Sequence, residues 1–433
     1  MDKDKNLPGV IRNPSKSKTK KKLWVITELY YPENNQTGYY LTRIAEGLAE
    51  EFDVKVICGQ PNYAARGTRA PKREVHQNVE IFRVWGTTLD KDVLALPLIH
   101  MLTLGVSIFL RTVFQIASGD EVLVVSAPPS LPFVTALAAK FRRAEYSLII
   151  QDKYPEILVA VGKSKPESTF IKVLDDLNKR LYSGAKKIVV VGRDMKEIVG
   201  RQISSDQTQK KDKISVIQNW ASLEEVEPLP RNENPILKEL RIADKFVFLY
   251  AGNMGHPQDL ESIIRCAEKL KNDQRFHFLF IGSGVKRKWL ETEVIEKQLG
   301  NVTVIAPRPR SEQSTFLNAC DVGLVPLVDK MCGVAMPSRT YNFMAAGKPI
   351  LALTDENSEV ATVIKEDRIG WFVPPGEPER LRVEIEKIYR DREALPEIGI
   401  RARHSALRKY SVEVAIDKFQ KFMVDDSNAS DNV

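Results

Sequence analysis

Gly333 to Ile350 reads GVAMPSRTYNFMAAGKPI, and the order of features within it decides the fold. Gly333 and Pro337 disfavour regular structure, so the stretch begins as a loop, and Ser338 is then placed to cap a helix starting near Arg339. Thr340 to Ala346 holds neither Gly nor Pro and reads as a short helix. Gly347 supplies its C-terminal stop, and Pro349, Ile350 and Leu351 open a buried strand. A loop, a helix start whose amides can face an anion, a glycine stop and a strand outline a phosphate-facing unit of an α/β sheet. Taken alone, a serine before a helix is only a cap.

The same grammar repeats around it. Phe246 to Tyr250 is an apolar strand, Ala251-Gly252-Asn253-Met254-Gly255 a tight loop, and Asp259 to Leu270 a helix with Asp259 in its acidic first turn. Small residues in such a loop let backbone amides approach an anion. Phe276 to Ile281 ends in a second glycine loop, Gly282-Ser283-Gly284, and Val302 to Ile305 leads to Arg308 and Arg310. Strands at Val322 to Leu327 and Ile350 to Thr354 flank the opening stretch, and helices run on to about Met423.

The first half follows suit. Leu23 to Thr27 is a strand, ENNQTG a polar loop ending at Gly38, and Tyr39 to Phe52 a helix whose apolar face is Leu41, Ile44, Ala45, Leu48 and Ala49. The single glycine gives no dinucleotide fingerprint. Val93 to Leu110 is apolar and at the lower edge of membrane-span length; it reads as a buried helical layer, an interfacial element or a span. After a strand at Tyr146 to Ile150 comes Gln151-Asp152-Lys153-Tyr154-Pro155-Glu156. Ligands gather beyond the carboxyl ends of parallel strands, so Asp152 and Tyr154 are site candidates, with a turn or cap as the plainer role of Asp152.

A length of 433 residues with 43% apolar content suits two soluble domains. Three prolines among charges mark 221–236 as the linker between a first domain, 23–220, and a second, 237–410. A C-terminal helix at 411–423 is open to packing back on the first domain, and 424–433 is a polar tail. Four scattered cysteines argue against a disulfide framework or a metal cluster, and the polar N-terminus against a secretory signal. Of the net charge of +7, residues 1–22 carry +6, so the ordered chain is near neutral and nucleic acid is not an expected partner. The basic arm suits an anionic membrane surface or is a solvated tail.

As an ordered set these segments resemble glycosyltransferase family 4, the group 1 glycosyltransferases, and within it bacterial exopolysaccharide, colanic-acid-type and surface-antigen enzymes. The segments are Glu28 to Glu50, QDKYPE from Gln151, QNW from Gln218, YAGNMG from Tyr250, FIGSG from Phe280, CDVGLVPL from Cys320, PSRTYNFMAAGKPIL from Pro337 and GWFVPPGEP from Gly370. The resemblance implies the α/β GT-B architecture: two Rossmann-like doubly wound parallel-sheet domains facing across a cleft. It also implies that Gly252, Asn253 and Gly255 face the donor diphosphate, that Gly282 and Ser283 lie near the base or phosphates, and that Pro337, Ser338, Arg339 and Asn342 hold the rest of the donor. Arg308 is a further donor-side cation, with Arg310 and Lys330 in reserve. Thr37, Gly38 and Tyr154 would meet the acceptor, and Asp152 and Arg339 are the catalytic candidates.

The implied reaction is retaining transfer from a UDP- or GDP-sugar to a hydroxyl of a lipid-linked oligosaccharide, in cell-surface polysaccharide synthesis at the cytoplasmic membrane face. No metal or other cofactor is expected, because no DxD pair stands at a strand end. An epimerase of the same fold and a non-catalytic partner subunit are the alternatives. Two departures bear on the last: Val334 and Asn342 stand where the family has two glutamates, and Asn253 and Gln258 where it often has Arg and Lys.

Overall fold

The computed structural model describes residues 20–33, 35–61, 69–87, 96–203 and 213–424. Most of the expected basic arm, the start of the apolar segment at Val93 and the polar tail beyond Val424 lie outside the described residues.

The first sheet contains β1 (Lys22–Ile26), β2 (Asp53–Cys58), β3 (Arg73–His76), β4 (Val79–Arg83), β5 (Glu121–Val125), β6 (Glu145–Ile150), β7 (Ile188–Val190) and β8 (Ile214–Val216). Their spatial order is 3-4-2-1-5-6-7-8. β5 and β7 are buried along their whole length and β1 and β6 nearly so, which is why they read as continuous apolar runs: helices cover both faces of a parallel sheet. The sheet is parallel except at one edge, where β3 pairs antiparallel with β4. Gln77 and Asn78, with φ of +46° and +63°, make the tight turn whose twist suits a hairpin.

The second sheet is parallel throughout. It orders β9 (Phe246–Ala251), β10 (Phe276–Ile281), β11 (Val302–Ile305), β12 (Val322–Pro326), β13 (Ile350–Leu353) and β14 (Gly370–Val373) as 11-10-9-12-13-14. Strand order reverses between β1 and β5 in one sheet and between β9 and β12 in the other, and such switch points open a crevice beyond the strand ends. One buried apolar cluster runs through both domains, joining Val191 and Met195 to Met331, Val334 and Met336.

The last helix, Val412–Val424, lies on the first domain. Val412, Ala415, Phe419 and Met423 share a buried cluster with Tyr40, Leu41, Ile44 and Leu48 of the helix Gln36–Leu48. Gln420 Nε2 donates to the Gly47 carbonyl at 2.8 Å.

The apolar segment forms the helix Leu96–Gln115. Leu104, Ile108, Thr112 and Ile116 are buried, while Leu102, Val106, Leu110 and Phe114 are exposed. Its polar side chains serve the protein side: His100 Nε2 lies 3.0 Å from Glu28 Oε1, and Thr103 Oγ1 accepts from the Thr87 amide at 3.2 Å. The span reading is corrected, because no described helix is long and apolar enough to cross a membrane.

Candidate active site

The stretch Gly333 to Ile350 folds as loop, helix Arg339–Ala345 and strand β13, with Gly347 at φ +62° ending the helix. Ser338 does not cap. Its backbone is already helical, with φ of −61° and ψ of −21°, and its hydroxyl donates across the domain boundary to Gln36 Oε1 at 2.6 Å. Gln36 Nε2 donates to the Tyr40 hydroxyl at 2.8 Å, which donates to the Trp220 carbonyl at 2.9 Å. A line of hydrogen bonds therefore runs from the second domain through the first to the end of its last strand.

The first-domain end of that line differs from the expected loop. Asn35 caps the helix, its Oδ1 accepting from the Gly38 amide at 2.8 Å, so Gln36, Thr37 and Gly38 are its first turn. Gly38 is there for close approach: a Cβ would lie 2.9 Å from the Glu33 carbonyl oxygen.

Behind the cleft the main chains meet directly. The Lys153 amide donates to the Val334 carbonyl at 2.8 Å, and Asp152 bridges to Ala335. Val334 is 3% exposed, so at this position of the family's first glutamate the side chain packs the interdomain core. Asp194 adds a second clasp, its Oδ2 accepting from the amides of Gly333 at 2.8 Å and Glu359 at 2.9 Å.

The cleft encloses about 460 Å³. Gln36, Thr37, Gln151, Asp152 and Asn219 line it from the first domain, and Gly252, Asn253, Pro337, Ser338, Arg339 and Asn342 from the second. Arg339 is its cation. The guanidinium stacks 4.2 Å from the Tyr250 ring centroid, and Nη2 reaches the Asn253 carbonyl at 3.5 Å. Nη1 is buried without a hydrogen-bond partner among the described residues, as is Asn342 Oδ1. A guanidinium held over an aromatic ring on a cavity wall suits a phosphate oxygen.

Asp152 stands on the opposite wall. Burial pushes its carboxyl up to about 6, so it is ionised at neutral pH yet close to its titration point. Asn219 Nδ2 donates to Gln151 Oε1 at 2.9 Å, joining the residues that follow β6 and β8 beside it.

Other sequence candidates lie off the cleft. Gly255 donates its amide to Gln258 Oε1 at 2.7 Å. Gly282 and Ser283 back the Gly252 loop, with Ser283 O accepting from the Met254 amide at 2.7 Å. A Cβ on Gly282 would lie 2.0 Å from Gly252 O, so Gly282→Ala should destabilise the fold by about 1–3 kcal/mol, read as a lower urea midpoint at unchanged slope. Arg308 pairs with Glu239 at 3.3 Å and Glu312 at 3.7 Å, and Arg310 with Glu225 at 2.6 Å, and neither lines the cleft. Tyr154 turns into a separate apolar cavity.

Asp259 caps the helix that follows the Gly252 loop: Oδ1 accepts from the Ser262 amide at 3.0 Å and Oδ2 from the Gly376 amide at 2.8 Å. Gln36, Gln151 and Asn219 are site residues that were not singled out, although each sits inside a quoted segment. Gln313 and Phe316 also line the cleft, and no local signal marked them. Among the described residues, no three His, Cys, Asp or Glu side chains group as a metal site.

Residues 232–405 match the family profile described as "Glycosyl transferases group 1". The chain is similar to a probable glycosyltransferase, WbjE, of Pseudomonas aeruginosa, with 29% identity over 92% of this chain and 96% of that protein. It is also similar to the putative colanic acid biosynthesis glycosyl transferase WcaI of Escherichia coli K12, at 23% identity over 90% of this chain and 96% of that one. In fold it matches the Anabaena protein Alr3699/HepE solved with UDP-glucose, at a TM-score of 0.67 and 13% identity over 93% and 99% of the two chains. Two Rossmann-like sheets facing across a cleft give this chain the GT-B fold, and its second domain, over residues 232–405, matches the group 1 glycosyltransferase profile.

Proposed function

We propose that the chain is a retaining glycosyltransferase that moves a sugar from a UDP- or GDP-sugar to a hydroxyl of a lipid-linked oligosaccharide. The observation that carries this is one cavity with Arg339 on one wall and Asp152 on the other. The relatives named for colanic acid biosynthesis and glycosyl transfer support a role in cell-surface polysaccharide synthesis, and the fold neighbour solved with UDP-glucose supports the donor class.

In this reading the acceptor hydroxyl attacks the anomeric carbon on the face from which the diphosphate leaves. The bond from that carbon to the phosphate oxygen breaks, its electron pair goes to the diphosphate, and the hydroxyl proton passes to a phosphate oxygen. Arg339 stabilises the charge gathering on the leaving group, so that no metal is required. The Asp152 carboxylate, across the cleft, favours positive charge developing on the sugar. Asn342 offers an amide to a ribose hydroxyl where a family member would offer a carboxylate.

The test is a thermal-shift series with the full chain in EDTA against UDP, GDP, ADP, dTDP and CMP. UDP or GDP should raise Tm, by about 1 °C for each kcal/mol of binding free energy at the ligand concentration used. A cooperative melt that none of the five moves would overturn the reading. Stabilisation appearing only after a divalent cation is added would overturn its metal-free part.

A further inference from the structure

A second cavity, about 480 Å³, lies behind the cleft between β6, the helix Leu131–Arg142 and the helix Thr169–Gly184. Phe133, Ile150, Leu158, Phe170, Leu174 and Leu181 make its walls apolar. Ser126, Ser130, Asp152, Tyr154 and Asn178 are its polar lining residues, and Asp152 lines the cleft as well. The Tyr154 phenol is pushed up to about 12, first by burial and then by the Asp152 charge, so it remains a donor there. A space with such walls holds water poorly and suits hydrocarbon.

The cavity opens to the surface at Phe170, which lines it and is 57% exposed. Met101, on the helix Leu96–Gln115, lines it too. From there an apolar face spreads along Leu102, Val106, Leu110 and Phe114, the last 80% exposed. Phe109 meets Phe141 of the next helix edge to face at 6.0 Å, and exposed Leu137 of that helix shares a surface depression with exposed Leu177. The face is therefore continuous over three helices, and a large contiguous apolar patch on a soluble domain marks an interaction site.

Charge names the partner. The helices Leu96–Gln115 and Leu131–Arg142 contain no Asp or Glu. Exposed Lys140, Arg142, Arg143 and Lys172 flank the patch, and none is in an ion pair among the described residues. On the third helix Asp175 pairs with Lys179 and Asp176 with Arg180, which leaves those four cations beside the apolar side chains to match an anionic lipid surface.

We propose that this second cavity takes the hydrocarbon chain of a lipid-linked acceptor, entering at Phe170 from a bilayer that receives the apolar face, with the hydroxyl-bearing end of the acceptor delivered to Asp152. The inference rests on the lipid-linked acceptor proposed above and says where that acceptor's chain goes. Tyr154, expected to meet the acceptor, then does so at the junction of chain and head.

Isothermal titration of the full chain with farnesyl phosphate, below its micelle concentration, tests it. Farnesyl phosphate should bind, isopentenyl phosphate about tenfold more weakly or worse, and inorganic phosphate not measurably, because affinity follows buried chain length. Leu174→Trp, which fills the cavity, should weaken farnesyl phosphate binding by about tenfold or more and leave UDP or GDP affinity within about twofold. Leu158→Trp repeats the test from the other wall if the first variant melts early. Equal binding by a folded, filled variant overturns the inference, as does absence of binding to the unaltered chain. If nucleotide binds and farnesyl phosphate does not, the lipid site falls and the transferase reading stands. If farnesyl phosphate binds and no nucleotide does, the transferase reading falls instead.

Discussion

Arg339→Ala is expected to weaken UDP or GDP binding by about tenfold to a hundredfold, and to lower kcat/KM by a further factor of about a hundred or more. The reason is geometric. The guanidinium is held over the Tyr250 ring on the wall of the cleft, where it is the cation placed to meet a phosphate oxygen. Removing it takes away the cleft's cation and leaves the leaving diphosphate to solvent. Arg339→Lys should restore part of the binding but less of the turnover, since an ammonium keeps the charge and loses the stacked, forked geometry. Titration calorimetry with the diphosphates and steady-state nucleotide release separate the two effects. Unchanged nucleotide affinity in Arg339→Ala would remove this residue from the donor site.

Asp152→Asn should lower kcat by about a hundredfold to ten-thousandfold while leaving diphosphate affinity nearly unchanged, because in the proposed reaction the side chain serves the reacting sugar and not the nucleotide. It should also reshape the pH profile. The carboxyl is held up near 6 by burial, so the charged form appears as pH rises through that value. Activity of the unaltered chain should therefore fall below pH 6 and level off above it, and the variant should lack this acid limb. Stability moves the other way. A carboxyl whose folded value lies above its unfolded one, about 3.9, contributes stability that is fully present at low pH and lost as pH rises through 6. At pH 7.5 the Asn variant should thus melt no lower than the parent. An acid limb that persists in the variant would assign the titration to another group.

Strands were legible because a fully covered parallel strand is a short apolar run wherever it stands, as in Phe246–Ala251 and Phe276–Ile281. The loops that follow such strands were legible too, and with them Asp152, Gly252 and Arg339. What failed depended on partners distant in sequence. Ser338 looks like a cap from its neighbours, yet its hydroxyl is taken by Gln36, which is 302 residues away. In the sequence Arg308 has Glu312 four residues on, and only the fold brings Glu239 beside it. Tyr154 and Asp152 sit two residues apart in one motif, and only the packing of the helix Thr169–Gly184 decides that one turns to the apolar cavity while the other borders both. The helix start at Gln36 was missed for a local reason: in a run of polar residues any of several can cap, and the tertiary fit selected Asn35.

The return of the final helix to the first domain makes the two halves unequal as evolutionary and engineering parts. A cut in 221–236 followed by exchange of everything after it would deliver a foreign Val412–Val424 helix onto the native Gln36–Leu48 helix, where Gly47 leaves room for Ile416 against its backbone and Gln420 reaches the Gly47 carbonyl. A donor-recognition module lifted from a relative therefore arrives with the wrong lid for its host. A working chimera of this chain needs two crossovers, one in the linker and one just before Val412, so that the host keeps its own closing helix.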